Sequence, residues 1–305
     1  MAEKGIAKVL EKGNGKIGSN DRSGQVGLRK TVNKSMIYWI IEKGKFIFHL
    51  SIWEKMIKKI LFVSLLIASN FSNAFLVQGY DVSKAWEGAQ VYVPSNFLTK
   101  KVDDVKVDKP LPVVILLHGC GGIGDHEKKW AQNLKSEGFI VVLPDSFAIP
   151  NREINCIPSS NTPNVGKVPV NDLRPAEAEF AMKKVQEQVW ADKNNIFLMG
   201  HSEGGAGAFL TIEAGFKGVI VSGFSCGVRR KVGSADTTPF IAINWEIDPY
   251  FSKDDSPQRQ CSDRPFWKNR VDKVEVILKG KGHATAFDSL ANREVIKFLK
   301  ERVKN

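Results

Sequence analysis

Asn195-Ile-Phe-Leu-Met-Gly-His-Ser-Glu-Gly-Gly-Ala-Gly-Ala-Phe209 is an apolar run that breaks into small residues around one serine. Asn195–Met199 reads as a strand buried on both faces, and Ser202–Ala214 as a helix. Between them, Gly200-His-Ser-Glu-Gly204 fits the pattern G-x-S-x-G in the strand–turn–helix setting that gives it meaning. A serine there stands on a sharp, strained turn, with its hydroxyl projecting past the sheet edge. Side chains two residues before and after it would collide, so Gly200 and Gly204 are needed. Gly205 to Ala208 let the helix lie close to the sheet. The hydroxyl of Ser202 also sits near a helix N-terminus, where free N–H groups favour a developing anion. A bare helix cap is the alternative reading of the same residues.

Outward from this stretch, short apolar runs alternate with helical patterns. Ala89–Val93, Val113–Leu117 and Phe139–Leu143 read as strands before it; Val219–Val221, Phe240–Ile243 and Val274–Leu278 follow it. Helices are expected at Asp125–Glu137, at Asp172–Val189 with Pro175 near its first turn, and at Asn292–Val303. A loop rich in Pro, Asn and Ser runs from Asn151 to Val170, and Phe147–Val170 is a candidate lid. Strands alternating with helices predict an α/β fold: a mostly parallel sheet with helices on both faces, in one domain spanning 75–305.

A second glycine turn, His118-Gly-Cys-Gly-Gly122, ends the strand Val113–Leu117. It can aim a backbone N–H at Ser202. A tetrahedral oxyanion wants two such donors, and the backbone N–H groups of Cys120 and Glu203 are assigned to that role. A phosphate loop, G-x-x-x-x-G-K-[ST], is absent.

Together the two glycine turns resemble the α/β-hydrolase superfamily, and within it dienelactone hydrolase-like proteins, over roughly Ala89 to Val303. Dienelactone hydrolases proper use a cysteine nucleophile. Ser202 in its place argues for a serine esterase and against dienelactone itself. The resemblance implies the chain order Ser, acid, His. Asp248, following the apolar run Phe240–Ile243, is the expected acid, with Glu246 as the alternative; Asp254 and Asp255 read as solvated loop charges. Three histidines are weighed for the base. His201 adjoins the serine and is expected to point away, and His118 belongs to the oxyanion turn. His283, in a glycine loop after the last strand, lies where the superfamily keeps its catalytic histidine. The expected reaction is carboxylic ester hydrolysis through an acyl-enzyme on Ser202, on a small-molecule or polymer ester such as a polyester or feruloyl-type ester. Dienelactone hydrolase-like or peptidase activity, or a non-catalytic binding protein on the same fold, are the alternatives. No cofactor is expected, and the cysteine spacings match no zinc site.

The net charge of +11 is concentrated at the start of the chain. Residues 1–74 hold 13 Lys/Arg against 5 Asp/Glu, while 75–305 hold 31 against 28. The near-balanced remainder calls for no nucleic-acid partner. Met56–Ala74 reads as a signal peptide: Lys58 and Lys59, an apolar Ile60–Ala68, then Ser72-Asn-Ala74. Residues 1–55 are then a non-native or disordered extension, and the mature chain is exported, periplasmic or secreted. Membrane attachment is expected only if that segment stays uncleaved. Cys120, Cys156, Cys226 and Cys261 all follow it, an even count suited to disulfides. Cys156 and Cys261, in polar loops, are the expected bridge partners, with Cys120 free.

Overall fold

The computed structural model describes residues 76–94, 96, 99–154, 156, 169–211, 215–227, 237–253 and 256–303. The chain divides into two units, Met1–Ser72 and Asn73–Asn305. The extension 1–55, the export segment 56–74, and Asp254 and Asp255 lie outside the described residues.

The second unit begins with a hairpin, β1 (Leu76–Val77) and β2 (Tyr80–Asp81), and a short helix α1 (Ser83–Glu87). It continues through β3 (Gln90–Tyr92), β4 (Leu111–Leu117), α2 (Asp125–Ser136), β5 (Ile140–Leu143) and α3 (Val170–Gln186). Then come β6 (Ala191–His201), α4 (Glu203–Leu210), β7 (Val219–Ser222), β8 (Phe240–Ile247), α5 (Pro265–Lys268), β9 (Lys273–Lys281) and α6 (Ser289–Arg302). Seven strands form one sheet in the order β3-β5-β4-β6-β7-β8-β9. Only β3 runs antiparallel; every other neighbouring pair is parallel.

The sheet is buried on both faces, and β4 shows why its sequence is continuously apolar. Val113, Ile115 and Leu117 pack with Ala178 and Val185 of α3 and Phe209 of α4 on one face. Val114 and Leu116 pack with Trp130 and Leu134 of α2 and Val295 and Phe298 of α6 on the other. Side chains alternate across a strand, so a strand covered on both sides has no polar positions to offer.

Several boundaries differ from the sequence expectation. β6 starts four residues early, at Ala191, and β8 and β9 run on to Ile247 and Lys281. Parallel pairing to neighbours extends these strands past their apolar cores. Helix α3 starts at Val170, so Pro175 lies in its interior and not in its first turn. Helix α6 starts at Ser289, where the Asp288 carboxylate accepts the N–H of Ala291 at 2.9 Å; this cap supplies a start that apolar periodicity does not show.

Candidate active site

Ser202 joins β6 to α4 at φ 55°, ψ −114°, in the left-handed half of backbone space that a non-glycine residue seldom occupies. Its N–H is held by Ser222 O at 2.9 Å, and its carbonyl accepts from Ala206 N at 3.0 Å. A Cβ on Gly200 would run into the carbonyl of Gly204, and one on Gly204 into the carbonyls of Leu117 and His118. Both glycines are therefore demanded by close backbone approach.

Register carries the other groups to the same sheet edge. Leu117 pairs with Gly200, so the turn after β4 leaves the sheet beside Ser202. A Cβ on Gly119 would stand 3.4 Å from Ser202 Cβ, which places the N–H of Cys120 in the turn lying against the serine. Glu203 is the first residue of α4, so its N–H has no partner within the helix. On the far side, Ile247 pairs with Lys281. Just past them, Gly282 N donates to Ile247 O at 3.0 Å, so Asp248 and His283 leave the two strands at one level.

That level exit brings Asp248 and His283 together, with Nδ1 of His283 2.7 Å from Oδ2 of Asp248. Asp248 is fully buried, and its other oxygen accepts the N–H of Tyr250 at 2.9 Å. The alternative acid Glu246 lies within β8 and takes Lys279 Nζ at 3.2 Å, so His283 is paired with Asp248 and not with Glu246. The ring of His201, next to Ser202, lies 4.7 Å from that of His283. Tyr250 and Phe251 flank His283 from the outside, with ring centroids 4.3 and 6.2 Å away. No hydrogen bond joins Ser202 Oγ to His283 among the described residues; such bonds are often long until substrate is bound.

The two remaining candidate histidines are structural. His118 is buried; its Nε2 accepts Ser146 N at 2.9 Å, and its Nδ1 faces Gly119 O at 2.6 Å. Burial, seconded by the Arg174 charge, pushes its pKa down to about 3. His201 turns Nδ1 to Ser222 Oγ at 3.1 Å. Burial first, then the neighbouring His126 and His283, hold it well below the ordinary imidazole value. Both rings are held in contacts within the fold, whereas His283, of the three candidates, hydrogen-bonds a buried carboxylate.

Several residues escaped the sequence reading. Glu203 turns its carboxylate inward to Arg152 Nη2 and, at 3.6 Å, Arg174 Nε. Arg174 also pairs with Glu177 and donates to His118 O at 2.7 Å. Glu177 in turn accepts from Ser146 Oγ, and burial raises its pKa against the pull of Arg174. Two guanidiniums and two carboxylates thus balance beneath the turn after β4. The Glu203 carboxylate, beside its own N–H at the start of α4, is thus ion-paired to both arginines.

The disulfides join Cys120 to Cys156 and Cys226 to Cys261, with Cα separations of 5.2 and 5.1 Å. The expected Cys156–Cys261 bridge and free Cys120 are corrected. The turn after β4 lies beside the start of the 151–170 loop, whereas Cys261 is buried against the Phe224–Cys226 segment. Loop polarity does not predict which loops are neighbours. The candidate lid 147–170 is described only in part: Ser146–Ala148 form a single 3₁₀ turn and Ile149 is buried, while 157–168 lie outside the described residues.

This sheet order, with a serine on a strained turn after a central strand and an Asp–His pair at the same edge, is the α/β-hydrolase fold. The chain matches the dienelactone hydrolase family over residues 101–296 and belongs to that family of hydrolases. Among solved structures it is similar to Est1E of Butyrivibrio proteoclasticus with ferulic acid bound, at TM-score 0.51 and 13% identity, covering 75% of this chain and 98% of that one. It is also similar to the esterase Pf2001 of Pyrococcus furiosus (TM-score 0.47, 14% identity, 64% and 84% covered). A third is TT1662 of Thermus thermophilus (TM-score 0.47, 19% identity, 65% and 91% covered). A comparison with curated proteins finds no match.

Proposed function

We propose that the chain is a serine ester hydrolase working through an acyl-enzyme on Ser202. The observation that carries this reading is the Asp248–His283 hydrogen bond of 2.7 Å, made by a buried carboxylate, at the sheet edge where Ser202 stands on its strained turn. Asp248 holds His283 in the tautomer with hydrogen on Nδ1, leaving Nε2 to take the serine proton. Ser202 Oγ attacks the ester carbonyl. The N–H groups of Cys120 and Glu203 receive the oxyanion, and His283 returns the proton to the departing alcohol. Water, activated by the same imidazole, then releases the acid. Serine in place of cysteine favours general esters over dienelactone, and the aromatic rings of Tyr250 and Phe251 beside His283 suit an apolar or aromatic ester. The substrate is a small-molecule or polymer ester, and no nucleic-acid partner is proposed.

Ser202→Ala is expected to abolish both p-nitrophenyl ester hydrolysis and labelling by a fluorophosphonate probe. Labelling that persists in the variant would exclude Ser202 as the nucleophile. We further propose that the mature chain is exported. Two disulfides among the described residues support an oxidising compartment, and Met56–Ala74 has the form of a signal peptide. N-terminal sequencing of the mature protein is expected to begin at or near Phe75; a chain retaining residues 56–74 would point instead to a membrane anchor. Among the described residues no helix is long and apolar enough to cross a membrane.

A further inference from the structure

His126 and Glu127, neighbours in the first turn of α2, stand between the two loops that must cooperate at this site. Glu127 is buried, and both its oxygens accept backbone N–H groups: Oε1 from Gly119 at 3.2 Å and Oε2 from Gly124 at 3.0 Å. Gly119 immediately precedes Cys120, whose N–H is the proposed oxyanion donor. His126 Nε2 accepts the N–H of Thr285 at 3.1 Å, two residues beyond His283. That acceptor role puts the ring proton on Nδ1, which approaches Glu127 Oε1 at 3.5 Å, a polar approach longer than a formed hydrogen bond.

Other contacts close the circuit. Thr285 Oγ1 takes a hydrogen bond from Trp130 Nε1 at 3.3 Å and meets Ser222 Oγ at 2.6 Å. Ser222 in turn contacts His201 Nδ1, and its carbonyl holds the N–H of Ser202. The rings of His126 and His201 lie 3.8 Å apart. Burial alone would raise the Glu127 carboxyl, but His126 and the N–H of Gly119 outweigh it and hold it down at about 2, so it is a carboxylate throughout the neutral range.

The donor atoms of His126, Glu127 and His201 lie within 4.8 Å of one another, but they are not arranged as an ion cage. Both Glu127 oxygens are engaged by backbone N–H groups, and the free lone pair of His126 is turned to Thr285. The cluster is built to hold two loops.

We propose that Glu127 and His126 are positioning residues that lock the oxyanion turn at Gly119–Cys120 to the base loop at His283–Thr285. This rests on the assignment of Ser202 and His283 under the proposed function. The groups that must meet in the transition state come from opposite sides of Ser202. Through this pair, one rigid helical turn sets the separation of both loops. Misplacing a reacting group by about 1 Å costs on the order of 100-fold in rate.

The test uses the full chain with His126→Ala, His126→Gln and Glu127→Gln. Each is titrated with a fluorophosphonate so that kcat is expressed per reactive site, and each is melted to confirm folding. His126→Ala is expected to lower kcat about tenfold or more per titrated site, with KM within about twofold of the parent. The rate of fluorophosphonate labelling falls in parallel. The amide oxygen of His126→Gln can still accept from Thr285, so that variant recovers a large part of kcat. Glu127→Gln places an N–H₂ group against one of two backbone donors and loses rate in the same way. Combining Glu127→Gln with His126→Ala costs less than the sum of the two, as expected of residues acting through one linkage.

An unchanged kcat per titrated site in the folded variants overturns the proposal, as does loss confined to KM or to thermal stability. Should His126→Ala fail to fold, the two Gln variants decide the matter by the same readouts. A parent protein that the probe does not label refutes the Ser202 assignment instead, so the two failures are distinguishable.

Discussion

Replacing Asp248 by Asn changes one atom's hydrogen-bonding sense while keeping shape and volume, and the surroundings dictate which atom faces the base. Oδ1 of Asp248 accepts the N–H of Tyr250 at 2.9 Å; only an oxygen can fill that place. The amide nitrogen must then lie where Oδ2 now meets His283 Nδ1 at 2.7 Å. A donor there forces His283 to present a lone pair at Nδ1 and to carry its hydrogen on Nε2. An imidazole in that tautomer cannot take the serine proton. The carboxylate is fully buried, so water does not offer a replacement acceptor. The expected loss is about 10,000-fold in kcat/KM, or about 5.5 kcal/mol of transition-state stabilisation. The assay is steady-state hydrolysis of a short p-nitrophenyl ester at neutral pH, with Glu246→Gln as control and a thermal melt on each variant. Glu246 already pairs with Lys279 at the strand edge, and its loss is expected to leave kcat/KM within about threefold, as for other exposed pairs. A loss below tenfold in Asp248→Asn, or an equal loss in Glu246→Gln, would refute the tautomer argument.

Two further predictions concern stability. The Cys226–Cys261 bridge closes a loop of 35 residues, so Cys226→Ser with Cys261→Ser is expected to lower unfolding free energy by about 3 to 4 kcal/mol; denaturant titration reads this, and a change under about 1 kcal/mol would contradict it. Acid should destabilise the fold in two stages. His118 is held at about 3 and His201 well below its ordinary value, so below about pH 6.5 the unfolded chain gains protons that the folded chain refuses. Stability then falls by up to about 1.4 kcal/mol per pH unit for each ring as pH drops toward about 4.5. Glu127, held at about 2, adds a further loss only below about pH 4.5, where the unfolded carboxyl protonates. Denaturant midpoints measured from pH 7 to 4 would show this slope, and a flat profile above pH 5 would oppose it.

The strands were legible because burial on both faces leaves an unbroken apolar run, as in Val113–Leu117. The turn at Ser202 was legible because one of its glycines answers a local clash: a Cβ on Gly200 would meet the carbonyl of Gly204, four residues on. Helix α3 was misplaced at both ends, since its start at Val170 lies beside a loop whose polarity carries no periodic signal. His126 and Glu127 left no trace either: on an amphipathic helix, one histidine and one glutamate look like solvated residues until the turn after β4 is laid over them.

The amino-acid order alone determined the layered α/β architecture and the strained serine turn. Those properties depend on neighbours within a few residues, where sterics and burial period are written directly. The tertiary structure decided which cysteines meet, that Asp248 and not Glu246 faces His283, and that two arginines neutralise Glu203. Each of these depends on register between strands and on which loops emerge side by side. Parallel pairing sets that register through backbone hydrogen bonds, which do not depend on side-chain identity and so leave no local mark in the sequence.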